Sequence, residues 1–298
     1  MSSYLTPADV LSAPLGIALS SLPGANPGTS PVLTQQVYEQ LIGIIARASG
    51  MVDNYVEQVL AATLDTEEKW TTRGLAWIDN NGYLNVHADY WPVLSVQSFQ
   101  YGYPTLGGTS WTAVTLSDLI VSRERITYPG AFLRRGTPPL RVQYTYLNGW
   151  PNTLLAATVA AGVTSLPVAD ATGMVAGGKL TIYDQGNTEV VTVAAGWAPV
   201  QGAASVTLQA ATQFAHSPVL RPVTGQGQPY DIAVSALPED VRQATLLVVK
   251  SIVETRGASA LVMGRAGRVS GPNPADLGTA EKMPNDACLM LDRYRRVL

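Results

Sequence analysis

Cysteine is all but missing from this chain of 298 residues: Cys288 stands alone, so no intrachain disulfide can staple the fold. An intracellular setting is the default expectation. Charge is scarce as well. At 14% charged residues and a formal net charge of -3, the chain is not a general nucleic-acid binder that works by neutralising phosphates. Histidine occurs only at His87 and His216. There is no GxSxG, HExxH, CxxC or Walker A pattern, and the GGKL at Gly177 lacks the Ser or Thr that a phosphate loop needs. No apolar run approaches the ~18 residues of a membrane span, and no Lys or Arg precedes the first apolar residues, so a soluble, unprocessed chain is expected.

What the chain does have is turn chemistry, with 27 Gly and 20 Pro, and long stretches of clean periodicity. Thr6-Pro7-Ala8-Asp9 combines a hydroxyl cap, a first-turn proline and an acid, which predicts a short helix through Leu11. From about Val32, apolar residues at Val37, Leu41, Ile44, Ile45, Ala48, Met51, Val52, Tyr55, Val56, Val59 and Leu60 fall three and four apart. That spacing predicts one long helix, capped by Thr34 and ending near 60–66, whose stripe needs a covering partner.

Five of the six Trp lie between Trp70 and Trp150, where alternation replaces the helical period. Asp79-Asn80-Asn81-Gly82 predicts a hairpin turn, and VLSVQSFQYGY, DLIVSRERITY and LRVQYTYL predict further strands of a mostly antiparallel sheet. Beyond Asn152 the composition shifts to Ala, Val, Thr and Gly. SLPVADATGM from Ser165 and SVTLQAATQF from Ser205 echo one another at a constant offset, as two copies of a strand-turn-strand unit or as chance in a biased stretch. The helical period returns after Pro238, with Glu239 and Asp240 in the first turn and Val241, Ala244, Leu247, Val248, Ile252 and Val253 on one stripe. A Gly/Pro/Arg loop and a last helix from Pro284 close the chain. The expected fold class is α+β: a discontinuous helical bundle made from 1–70 and 231–298, an aromatic-rich β region at 71–152, and a second small β-module at 153–230.

The segments LRVQYTYLNGW, LPEDVRQATLLVVKSIVETRG and DACLMLDRYRRVL, taken with the TPADVL opening and the long second helix, resemble the head-tail connector, or adaptor, proteins of tailed phages. The resemblance covers roughly 4–66, 140–151 and 236–298. It departs from the family where the Ala/Thr/Val-rich module splits the aromatic-Gly strand from the Pro-capped helix. It implies a structural virion protein without catalysis or cofactor. Such a protein forms a ring, typically dodecameric, between the portal protein and a tail-completion protein (stopper or tail terminator), with DNA passing through the lumen without sequence-specific binding. Its expected place is the head-tail interface of the virion, and the host cytoplasm during assembly.

Among individual residues, Arg265 and Arg268 in the Gly/Pro loop and Arg293, Arg295 and Arg296 at the end are the candidates for partner docking, because guanidinium groups pair with carboxylates of a neighbouring ring. His87 and Asp89 read as an exposed strand-end pair, Cys288 as a small buried apolar residue, and Glu67-Glu68 as solvated acids at a helix end. Two rival readings remain: a carbohydrate-binding or host-contact protein resting on the Trp/Tyr-rich sheet, and a hydrolase whose catalytic set is scattered in sequence.

Overall fold

The computed structural model describes residues 3–13, 16, 35–71, 74–131, 139–218, 221–223, 226–228, 231–257 and 283–296. Helix α1 (Pro7–Ser12) starts with a reciprocal capping box. The Asp9 N–H donates to Thr6 Oγ1 at 3.3 Å and the Thr6 N–H donates to Asp9 Oδ2 at 2.7 Å. Helix α2 (Gln35–Val56) buries Val37, Leu41, Ile44, Ile45, Ala48, Val52 and Val56 of the expected stripe, while Met51 and Tyr55 are partly buried and Val59, beyond the helix, is exposed. The expected cap Thr34 lies outside the described residues.

The helix stops short of the expected 60–66 because Glu57 takes φ 59, the left-handed turn that terminates a helix. The chain then enters β1 (Thr63–Trp70). Glu67 and Glu68 therefore sit mid-strand and not at a helix end, and the strand period sends them to opposite faces.

Two four-stranded antiparallel sheets hold the aromatic-rich region. One has the order β1, β8 (Arg141–Asn148), β4 (Val93–Thr105), β5 (Gly108–Ala113). The other has the order β2 (Ala76–Ile78), β3 (Leu84–His87), β7 (Arg125–Tyr128), β6 (Ile120–Val121). The β2–β3 hairpin turns where Asn-Gly predicts it. Gly82 supplies φ 79, and Asp79 Oδ1 accepts the N–H groups of Asn81 and Tyr83, both at 2.9 Å. Those bonds, the Tyr83 one foremost, hold the Asp79 carboxyl below its usual range. Leu84, Val86, Phe99, Ile126, Val142, Tyr144 and Tyr146 share one core.

The Ala/Thr/Val-rich stretch folds into a closed ring of strands. Strands β9 (Asn152–Leu154), β16 (Ala233–Ser235), β11 (Lys179–Tyr183) and β12 (Glu189–Thr192) form one sheet, and β10 (Ser165–Val168) pairs with β13 (Ala204–Thr207). The bridges Leu155↔Val168 and Val193↔Leu208 join the two sets, so the order runs β9-β10-β13-β12-β11-β16 and back to β9, antiparallel throughout. Closure leaves this barrel without an open edge. Leu166, Val168, Met174, Leu180, Ile182, Val206, Leu208 and Val234 fill it. The two echoing segments contribute β10 and β13, which pair with each other, and Ser165 and Ser205 lie with their hydroxyls 2.6 Å apart. Each is followed by a hairpin, β11–β12 in the barrel and β14 (Arg221–Val223) with β15 (Gln226–Gln228) outside it.

Helix α3 (Glu239–Gly257) and helix α4 (Asn285–Leu291) return to α1 and α2 and share a single hydrophobic core with them. Mixed helices and antiparallel sheets make the chain α+β, as expected. Where the helical core meets the barrel, Arg242 of α3 is only 3% exposed. It pairs with Asp9 at 2.7 Å, donates to the Tyr4 carbonyl at 3.1 Å, and lies 3.6 Å from the Tyr183 ring centroid. One side chain thus touches α3, α1 and β11. Replacing it strands Asp9 and empties the stack, so Arg242→Ala should lower unfolding free energy by about 3–5 kcal/mol, read from urea denaturation followed by tryptophan fluorescence.

Candidate functional site

The C-terminal arginines are positioned by buried neighbours. Ala287, Leu291 and Tyr294 enter the helical core, and the Tyr294 ring stacks on Trp91 with centroids 6.3 Å apart and meets Trp150 edge-on at 5.7 Å. Gln58 fixes the same segment. Its Nε2 donates to the Tyr294 carbonyl at 2.9 Å while its Oε1 accepts the Trp91 N–H at 3.3 Å. The Arg296 N–H then donates to the Val56 carbonyl at 2.9 Å, capping the end of α2.

With the backbone held, each described arginine meets a carboxylate of its own chain. Arg293 pairs with Asp240, Arg295 lies 3.8 Å from Glu57, and Arg296 pairs with Asp89 at 2.9 Å. Asp89 also receives Lys69 at 2.9 Å. Lys69 bonds Glu67 at 3.0 Å, and Glu67 accepts the hydroxyls of Tyr144, at 2.5 Å, and Tyr146. Burial works against ionised Asp89, but Lys69 and Arg296 outweigh it and keep its carboxyl below the usual range. The two tyrosines on Glu67 show the reverse effect: burial first, then the Glu67 carboxylate, pushes both phenols far up. A cavity of about 300 Å³ opens beside this network, lined by His87, Asp89, Glu124, Arg293, Arg295 and Arg296 among others.

Arg293 and Arg295 remain 62% and 51% exposed, so each can exchange its own carboxylate for one on another surface. Arg265 and Arg268 lie outside the described residues. Sequence reading had no way to assign the intrachain partners Glu57, Asp89 and Asp240, which arrive from three different elements.

His87 and Asp89 do not act together. His87 ends β3 with Nε2 3.8 Å from Glu124, while Asp89 turns to Lys69 and Arg296. Cys288 is half-buried, not core. The aromatic set divides: Trp91, Tyr144 and Tyr146 are buried, whereas Trp70 and Trp111 flank Arg141 on the open face of the first sheet, 5.4 and 5.7 Å from its guanidinium. Arg141 there holds Glu68 through Nε at 2.7 Å and Thr109 Oγ1 at 2.8 Å.

His216 is the group that sequence reading missed. It is fully buried in the barrel, with Nδ1 3.0 Å from Asp184 and Nε2 2.6 Å from Glu189. Its two ring nitrogens thus face two carboxylates, which pins the β11–β12 turn to the strand bridge at Val159. Among the described residues no three such side chains are arranged to hold a metal. Burial raises Glu189, yet the N–H groups of Gln213 and Phe214 together with His216 overcome it and set its carboxyl below the usual glutamate value.

A carboxyl depressed in the folded state stabilises fully above its unfolded pKa of about 4.3 and loses that contribution as pH falls through the folded value. Amide protection factors across β11–β13, taken relative to intrinsic exchange at each pH, should therefore fall on acidification below about pH 4, and Glu189→Gln should flatten that dependence. A second contrast separates packing from surface charge at the C-terminal end. Leu291→Ala should cost about 2–5 kcal/mol in thermal or urea unfolding, and Arg295→Ala less than about 1 kcal/mol.

No family model matches the sequence, and no curated protein matches it. Among solved structures, a chain in "Neck of empty GTA particle computed with C6 symmetry" is similar over 95% of this chain and 93% of that chain, at 12% identity and a TM-score of 0.35. At that identity and score the likeness carries no functional argument, and the chain's own residues must supply it.

Proposed function

We propose that this protein is a structural virion component, a head-tail adaptor that assembles as a dodecameric ring between the portal and a tail-completion protein, around a channel for DNA. The observation that carries the reading is the meeting of the chain's two ends. Helices from Tyr4 to Val56 and from Leu237 to Tyr294 build one core, with the sheets and the barrel inserted between them. That is the element order on which the resemblance to tailed-phage adaptors rests, with the helices acting as one bundle-like frame.

The half-exposed Arg293 and Arg295, with Arg265 and Arg268 earlier in the sequence, are the residues assigned to docking on acidic groups of the neighbouring ring. The low charge of the chain suits a lumen through which phosphates slide without being held. Carbohydrate binding by the aromatic region is the weaker reading, because Trp91, Tyr144 and Tyr146 are core.

Co-expression with the products of the flanking genes, followed by imaging of vitrified complexes, should show a ring of this chain docked on a portal. Arg293→Glu with Arg295→Glu should leave the subunit folded and reduce docking. Compact monomers or trimers that bind glycans and no portal would overturn the adaptor reading.

A further inference from the structure

The sheet β1-β8-β4-β5 ends in two different open edges. On β5, the Val114 N–H donates to the Phe99 carbonyl at 2.9 Å and continues the β4–β5 register by one step. By the alternation of an antiparallel ladder, Gly108, Ser110 and Thr112 then bond inward, and Thr109, Trp111 and Ala113 turn their N–H and C=O groups outward. On β1, the Thr71 N–H donates to the Leu140 carbonyl at 3.0 Å and extends the β1–β8 register in the same way. Leu64, Thr66, Glu68 and Trp70 therefore face outward. None of these seven residues has a backbone partner among the described residues.

Natural edges are blunted by lysine, proline or bulges, but β5 reads Gly-Thr-Ser-Trp-Thr-Ala and pairs with β4 without a register shift. The hairpin also outruns its sheet. The last β4–β8 pair is Gly102↔Arg141, so among the described residues Tyr103 to Thr105 pair only with Gly108 to Ser110, and Leu106 at the turn is fully exposed. Among the described residues nothing covers this arm, which leaves it available to another surface.

From this geometry we infer that the β5 edge of one copy pairs with the β1 edge of the next, so that the sheets of successive copies join side by side. The inference rests on the ring reading above and names its contact. Strand direction supports it. β1 and β5 run in opposite senses, so a copy related by rotation about an axis along the strands presents its β1 antiparallel to β5, the same sense as every other ladder in the sheet.

Charge supports it too. β5 carries no charge, and Glu68, the one charged residue of the outward-facing run of β1, is already held by Arg141 of its own chain, so joining the two edges buries no unpaired charge. One edge of each kind per chain makes the contact head-to-tail, and a head-to-tail contact generates a closed ring or an open filament, not a dimer.

The test uses the full chain with Cys288→Ser in assembled complexes. Thr109→Cys is introduced alone, and in combination with Leu64→Cys, Thr66→Cys or Glu68→Cys to span the possible registers. After mild oxidation, at least one combination should give a ladder of multimers on a non-reducing gel, and Thr109→Cys alone should stay monomeric. Dimers from Thr109→Cys alone would overturn the inference in favour of a two-fold β5 contact. Rings that persist in images while no combination cross-links would also overturn it and leave the adaptor reading standing. The absence of any ring in wild-type complexes would overturn both.

Discussion

A buried guanidinium sets the relation between the helical core and the barrel. Arg242 carries a positive charge into a site where only 3% of the residue reaches solvent, and it is tolerable there because Asp9, the Tyr4 carbonyl and the Tyr183 ring surround it. Those partners come from α1 and β11, elements separated by more than a hundred residues. The same junction carries Tyr38, whose hydroxyl donates to Asp231 at 2.5 Å, and Asn152, whose Nδ2 donates to the Ser3 carbonyl at 2.7 Å. Directional bonds of this kind fix an orientation that apolar contact alone would leave free to slide.

The C-terminal network applies the same principle at the other end of α2. Glu67, Lys69, Asp89 and Arg296 alternate in sign along a line that begins under the first sheet and ends at the surface. Tyr144 and Tyr146 satisfy Glu67 from the sheet side, so the buried end of the line is hydrogen-bonded as well as charge-paired. The arginines closest to solvent are consequently the least committed to the fold. Arg296 is anchored by its backbone and by Asp89, while Arg293 in the turn after α4 and Arg295 just beyond it pair with surface carboxylates and stay more than half exposed.

Where the sequence was legible, local chemistry and tertiary context agreed. Thr6 and Asp9 form the capping box that their spacing implies, Asn81-Gly82 makes its hairpin, and the stripe of α3 is buried except at Leu247, which is only partly so. The end of α2 was not legible because Leu60 and Ala61 are apolar in both periods. Only the left-handed Glu57, a conformation sequence rarely assigns to glutamate, breaks the helix. Arg242 is not among the apolar stripe residues of α3, and a helical period cannot report that another element will cover it. His216 could not be joined to Asp184 and Glu189, because 27 or more residues separate them and only barrel closure brings them together.

Asn152 and Ser235 are register partners at the mouth of the barrel. Everything from the entry strand to the exit strand therefore hangs from a single two-stranded stem whose ends stand only ~5 Å apart, the spacing of paired strands. Seen from the helices, some eighty residues occupy the footprint of a short loop, so a lineage could have acquired or shed the barrel by one splice without altering the distance that the rest of the chain has to span.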